Sequence, residues 1–315
     1  MKIHSLYRYP VKGLSPEPLD SVQVAAGEGF PLDRKYALLR TDAAFDPAAP
    51  AWLPKANFVM LMLHEPLAAL KTRYSAQGSE LHVRTAEGHE RTFAMDSDAG
   101  RRSLGEFFLG YLPKRLAGPP KILEAAGHQF TDKAEKLVSL INLASVRRLE
   151  EMWDVDLDPL RFRANVYIDG AEPFRELDWV GREIRLGRAY AQVVQRNGRC
   201  AATNVNPKTA VRDRDIPGKL RAEFGHKDLG VYLRMLEGGL LRPGDEVAVE
   251  PAVQEKSYGV KDGSTTGAAL ICSACYYLLD AAVKSARELP ADYACPDCGA
   301  GRDAAVPAAG FRPSS

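Results

Sequence analysis

Short runs of alternating apolar and polar residues dominate the chain, separated by glycine-bearing turns. Val22-Gln23-Val24 ends at Ala25-Ala26-Gly27, Tyr36-Ala37-Leu38-Leu39 follows Asp33-Arg34, and Leu81-His82-Val83-Arg84 is parted from Arg91-Thr92-Phe93 by Glu87-Gly88. A period of two puts one face of each run into a core and predicts strands. The opening residues, Met1 to Pro10, also read as a strand. Two stretches break the pattern. Leu104, Phe107, Phe108, Tyr111 and Leu112 recur at helical spacing behind a candidate cap at Ser103. Val146, Leu149, Met152 and Trp153 do the same from about Ser145, with Ser145 or Asn142 as cap. Strands return at 165–168, 183–186, 190–194 and 246–249, the last entered through the turn Pro243-Gly244-Asp245. The pattern predicts an α+β protein that is mainly β, its strands arranged as barrels or sandwiches.

A length of 315 residues favours two domains with room for a small module. The expected division is 1–120, 121–253, a linker at 254–269, a module at 270–304 and a tail at 305–315. The linker holds Gly259, Gly263 and Gly267 with few apolar residues, and its random-coil span is about 20–24 Å. The tail, with Pro307, Pro313 and terminal serines, is expected to fray. Apolar residues make up 45% of the chain, enough for a substantial core. With 42 basic and 41 acidic residues, charge is balanced, which argues against nucleic acid or an anionic membrane as the main partner. No run reaches the roughly 18 apolar residues of a membrane span. Met1 to Pro10 lacks the apolar stretch of a secretion signal, so the expected location is cytoplasmic.

The five cysteines divide as one plus four: Cys200 alone, then Cys272-Ser-Ala-Cys275 and Cys295-Pro-Asp-Cys298. In a reducing compartment two such pairs point to a four-thiolate metal site rather than to disulfides. Zinc and iron both suit four sulfurs, and the spacing does not choose between them. Cys200 follows Arg196 and Arg199, and cations near a thiol favour the thiolate that a metal needs. The bland alternative is a small buried cysteine in a strand. The six histidines fall in none of these patterns, and no catalytic histidine is expected.

Leu289-Pro290-Ala291-Asp292-Tyr293-Ala294-Cys295-Pro296-Asp297-Cys298-Gly299, together with Cys275-Tyr276-Tyr277, resembles rubredoxin over about residues 270–304. That resemblance implies one iron held by Cys272, Cys275, Cys295 and Cys298 and used to move single electrons. Tyr276 stands where the family usually has glycine, and Tyr293 where it usually has tryptophan.

A second resemblance covers about residues 1–250. Gln195-Arg196-Asn197-Gly198-Arg199-Cys200-Ala201-Ala202-Thr203-Asn204 is similar to the signature of MOSC domains. Arg161-Phe162-Arg163-Ala164-Asn165 upstream and Gly238-Gly239-Leu240-Leu241-Arg242-Pro243-Gly244-Asp245 downstream extend it. Tyr9-Pro10-Val11-Lys12-Gly13 and Leu32-Asp33-Arg34 match the β-barrel that often precedes such domains. The resemblance implies two β-barrel-like domains and a molybdopterin cofactor, with Cys200 as the protein's ligand to molybdenum. It also implies that Lys12, Arg34, Arg161, Arg163 and Arg199 neutralise the cofactor's phosphate, that Asn165 meets the pterin edge, and that Ser145 lies near the phosphate. Arginine suits such a role because its planar fork matches phosphate oxygens. Gly13 and Ala164 depart from the hydroxyl residue and the proline that are common in relatives.

Together the resemblances imply a molybdenum oxidoreductase that removes oxygen from N-hydroxylated small molecules. Its electrons would be relayed through the iron site on a swinging module and replenished by an external reductase. Two alternatives stay open. One is another oxygen- or sulfur-transfer enzyme on the same cofactor; the other is a non-catalytic cofactor-binding protein with a zinc ribbon.

Overall fold

The structure, a computed structural model, describes residues 1–250, 270–272, 279, 285–293, 295 and 301–307. Cys275, Cys298, the expected linker at 254–269 and the chain beyond 307 lie outside the described residues. In chain order the described elements begin with β1 (Lys2–Arg8), β2 (Glu17–Leu19), β3 (Val22–Val24), β4 (Ala37–Leu39), β5 (Lys71–Ser75), β6 (Glu80–Arg84), β7 (Glu90–Ala94), α1 (Asp98–Tyr111) and β8 (Lys121–Leu123). They continue with β9 (Val138–Asn142), α2 (Leu143–Trp153), β10 (Val166–Asp169), β11 (Glu183–Leu186), β12 (Ala189–Gly198) and α3 (Ile216–Phe224). The last are β13 (Asp228–Glu237), β14 (Gly239–Leu241), β15 (Val247–Val249), β16 (Leu270–Cys272) and β17 (Ala305–Pro307). Short 3₁₀ turns fill several connections. The protein is α+β.

The chain forms two compact units, each assembled from three stretches. The first takes Met1–Lys35, Gln129–Gly198 and the described part of Asp228–Gly263. Its centre is an eight-stranded sheet in the order β15-β11-β12-β13-β9-β10-β1-β2. Register lines up apolar side chains across it: Leu6 faces Val166, Val166 faces Leu140, and Leu140 faces Val231. These four residues belong to one buried cluster with Ile168, Ile184 and Leu233, and each such side chain contributes about 1.5–3 kcal/mol on burial. The parallel pair β9–β10 is joined through α2, the crossover that parallel strands require. Asn142 ends β9 and also caps α2, its side chain accepting from Ala144 N at 3.1 Å. The sheet then curls back on itself. Ile3 N donates to Asp245 O (2.8 Å) and Val247 N to Met1 O (2.9 Å), so β1 meets the approach to β15, at the far end of the strand order. Such closure hides strand edges and encloses the core.

The second unit takes Tyr36–His128, Arg199–Lys227 and the described part of Ser264–Ser315. It holds the pair β4–β8, the meander β5-β6-β7, helices α1 and α3, and the pair β16–β17. Leu104 and Phe108 are the buried apolar face of α1, and Gly105 lets it approach the chain at Pro120, where an added Cβ would lie 2.6 Å from a carbonyl oxygen. The helix starts earlier than its apolar stripe suggests. Ser97, not Ser103, is the cap and accepts from Gly100 N at 3.0 Å. The polar first turn carries no stripe to reveal it. Residues 305–307, expected to fray, instead pair with β16. Among the described residues no helix is long and apolar enough to cross a membrane.

Candidate functional site

In the first unit, two of the expected cations gather over one phenol, and Asp132, the carboxylate partner of a third, acts on both by its charge. The Arg34 and Arg163 guanidinium carbons stand 4.5 and 4.3 Å from the centroid of the Tyr9 ring, within the range of cation–π attraction. Arg34 is paired with Asp33 and donates through Nη2 to Arg163 O at 3.1 Å. Asp33 also accepts from Tyr9 N at 2.8 Å, and Tyr9 O accepts from Arg34 N at 2.7 Å, which ties the two loops together. Lys12, buried, pairs with Asp132 and donates to Phe130 O at 2.9 Å.

Two properties set this group apart from a structural ion-pair network. Arg34 and Arg163 both occupy the left-handed backbone region, at φ 47° and 51°. Such a conformation costs a non-glycine residue on the order of 1–3 kcal/mol and collects at functional sites. The Arg163 guanidinium also has no hydrogen bond or ion pair among the described residues. Burial lowers its pKa, and the neighbouring Arg34 charge pushes the same way. At Arg34 burial is again the largest single influence and acts downward, but Asp33, Tyr9 and Asp132 together outweigh it and the pKa is raised. Burial pushes the Tyr9 hydroxyl up to about 12, so the ring stays neutral between its cations. Three cations face two carboxylates, Asp33 and Asp132, and this arrangement is suited to an added anion.

The remaining candidates of this unit are placed differently. Asn165 is buried in the sheet: its Oδ1 accepts from Ser139 N (3.1 Å) and Oγ (2.9 Å), and its Nδ2 donates to Tyr7 O (3.2 Å). Ser145 donates to the Glu176 carboxylate at 2.8 Å and accepts from Phe174 N at 2.7 Å. Both residues are engaged in holding the fold, and neither joins the Tyr9 group. Arg161 is buried at the end of β10's approach, in the 3₁₀ turn Pro159–Phe162. Glu176 was not expected from sequence. It is fully buried, and burial raises its pKa against the opposing hydrogen bonds of Ser145 and Asn142. No motif surrounds it, so nothing in the sequence marked it.

The second unit carries Arg199 and Cys200. Arg199 is buried and its N donates to Lys227 O at 2.8 Å. Cys200 is half-buried, and its carbonyl accepts from both Thr203 N (3.0 Å) and Thr203 Oγ1 (2.9 Å). Arg212 braces the same loop, bonding Met62 O at 2.5 Å and Ala201 O at 3.4 Å while pairing with Glu65. Cys200 packs against an apolar cluster formed by Met60, Met62, Ala201, Cys272 and Cys295. Cys272 and Cys295, one from each CxxC pair, are each 1% exposed. Among the described residues no group of three or more His, Cys, Asp or Glu side chains is placed to hold a metal ion, and Cys275 and Cys298 fall outside those residues.

Comparison with known proteins bears on one stretch of the chain. Residues 125–248 match the family described as MOSC domain. The molybdenum cofactor sulfurase of Danio rerio is 37% identical over 86 residues, 27% of this chain and 10% of that protein. That of Drosophila melanogaster is 29% identical over 150 residues, 44% of this chain and 18% of that protein. The chain therefore spans only a small part of these relatives. Among solved structures, YiiM from Geobacillus stearothermophilus is similar at 24% identity, covering 38% of this chain and 55% of that one with a TM-score of 0.29. The YUAD protein from Bacillus subtilis is similar at 15% identity, covering 80% and 96% with a TM-score of 0.37. The matched stretch contains Arg161, Arg163, Asn165, Arg199 and Cys200, along with β9 to β13, the central strands of the eight-stranded sheet. Over residues 125–248 this protein is similar to MOSC domains.

Proposed function

We propose that the protein is a molybdenum-cofactor-dependent oxidoreductase acting on N-hydroxylated small molecules. The observation that carries the reading is Arg163: a guanidinium held over Tyr9 on a strained backbone, without a partner among the described residues. The donor set fits the cofactor. Arginine and lysine suit a phosphate, and a thiol suits a soft metal. Lys12, Arg34 and Arg163 are assigned to the anionic end, and Cys200 to the metal by its place in the motif Asn197-Gly198-Arg199-Cys200. When bound, the cofactor supplies the two-electron centre for the net reaction R–NHOH + 2e⁻ + 2H⁺ → R–NH₂ + H₂O.

The chain's own residues prepare that chemistry. Tyr9 holds two guanidiniums whose mutual repulsion would otherwise drive them apart. Asp33 and Asp132 offset part of that charge. The Thr203 bonds to the Cys200 carbonyl fix the backbone that presents the thiol. Cys272, Cys275, Cys295 and Cys298 are assigned to one iron that accepts electrons singly from an external reductase.

Metal analysis of protein made in cells that synthesise molybdopterin tests the reading. We expect about one molybdenum and one iron per chain, and Arg163→Ala should lower molybdenum at least tenfold with iron unchanged. Zinc in place of iron, with no molybdenum, would overturn it. The names of the sulfurase relatives favour a second reading, sulfur transfer on the same cofactor. Turnover of an N-hydroxylated amidine with dithionite as reductant, without loss of sulfur from the protein, decides against that alternative.

A further inference from the structure

The cluster beside Cys200 carries an inference about how electrons arrive. Sequence alone suggested a module swinging on its linker. The described part of the four-cysteine segment is instead packed in place within the second unit. It has a small core of its own, Leu270, Leu279, Leu289 and Ala305, and β16–β17 pairing sets Cys272 opposite Ala305. Tyr293 packs against both this core and the cluster shared with Cys200. From the other side, Arg212 holds the Met62 and Ala201 carbonyls, so the surface receiving the cysteines is braced.

We infer that Cys272 and Cys295 are seated against the Cys200 loop as a fixed electron-entry contact, with Met60, Met62 and Ala201 as the packed interface. The inference rests on the function proposed above. An iron assigned to the cysteine pairs would be oxidised from ferrous to ferric in each delivery, and the one electron lost would pass across this contact to the centre assigned to Cys200. A reduced flavoprotein outside the chain returns the iron to ferrous, and two deliveries supply one turnover. A fixed contact makes the internal step independent of linker length, because no diffusion precedes it. It also keeps water from Cys272 and Cys295, since these two cysteines and both methionines are buried together.

Seating is tested on the full-length, iron-loaded protein by the rate at which iodoacetamide modifies Cys200, read by peptide mass mapping. Met62→Glu puts a charge into the interface and should raise that rate at least tenfold while the red iron band persists. Met60→Glu serves as an independent second variant should Met62→Glu lose its iron. Equal rates in wild type and in an iron-retaining variant would overturn the seating. If both variants lose iron, the wild-type rate decides: at least tenfold below that of glutathione supports seating, and parity overturns it. This readout needs no molybdenum, so it separates failure of the contact from failure of the proposed function. Where molybdenum is present, ferric iron should speed relaxation of the Mo(V) paramagnetic signal. An unchanged relaxation would place the iron too far away for direct delivery.

Discussion

Around Tyr9 the chain gathers charge: two guanidiniums, an ammonium and two carboxylates, held by loops with left-handed arginines. Around Cys200 it gathers sulfur: two further cysteines and two methionines, closed off from water. The first group suits hard anions, is costly to assemble without a ligand, and leaves Arg163 without an ion pair among the described residues. The second suits soft metals and stabilises itself by burial. Backbone strain follows the same divide. Arg34 and Arg163 have positive φ, whereas Cys200 sits in an extended conformation at φ −119°. The contrast teaches that charged recognition in this protein depends on preformed geometry, and sulfur chemistry on packing.

The largest test of that contrast removes a sulfur. For the proposed iron site, Cys295→Ser should lower bound iron at least severalfold by metal analysis, because an oxygen donor replaces one soft thiolate. Stability of the first unit, followed by the signal of its buried tyrosines, should not change. Removing a charge comes next. Asp33 is buried, partners Arg34 and receives Tyr9 N. Asp33→Ala should cost about 3–5 kcal/mol in denaturant unfolding, since it leaves a buried cation unpaired. The finest test separates the backbone from the side chain. Arg163→Ala and Arg163→Gly remove the same guanidinium, but glycine accepts φ 51° without strain. The glycine variant should be more stable by about 1 kcal/mol, and both should lose molybdenum equally. If glycine gives no gain, the left-handed backbone at Arg163 is not strained.

Much of this was readable from residues alone, and the gaps have physical causes. Val22–Val24 and Glu183–Leu186 were placed to the residue by their alternation and their turns. The central strands β9 and β13 were not marked. Val138–Asn142 is buried throughout and so shows no alternation. Helix α3 carried legible signals that went unused: a cap at Asp215, Pro217 just inside, and Gly225 just beyond. Lys12, Arg34 and Arg163 followed from family resemblance. Asp132 and Glu176, by contrast, act through contacts distant in sequence, which no local pattern encodes. The packing of Cys272 and Cys295 against Cys200 was equally hidden, since it joins parts of the chain some seventy residues or more apart.

The closure of the sheet by β1 against the approach to β15 has a consequence for synthesis on the ribosome. Its two partners, residues 1–3 and residues 245–247, lie far apart in sequence. Nascent β1 must therefore wait, with one edge unpaired, while Tyr36–His128 emerges and has time to organise itself. Contacts of such long sequence separation form slowly. The barrel closes only after residues near 247 have left the ribosome, and a stalled or truncated chain ending before that point would expose a sticky strand edge to other proteins.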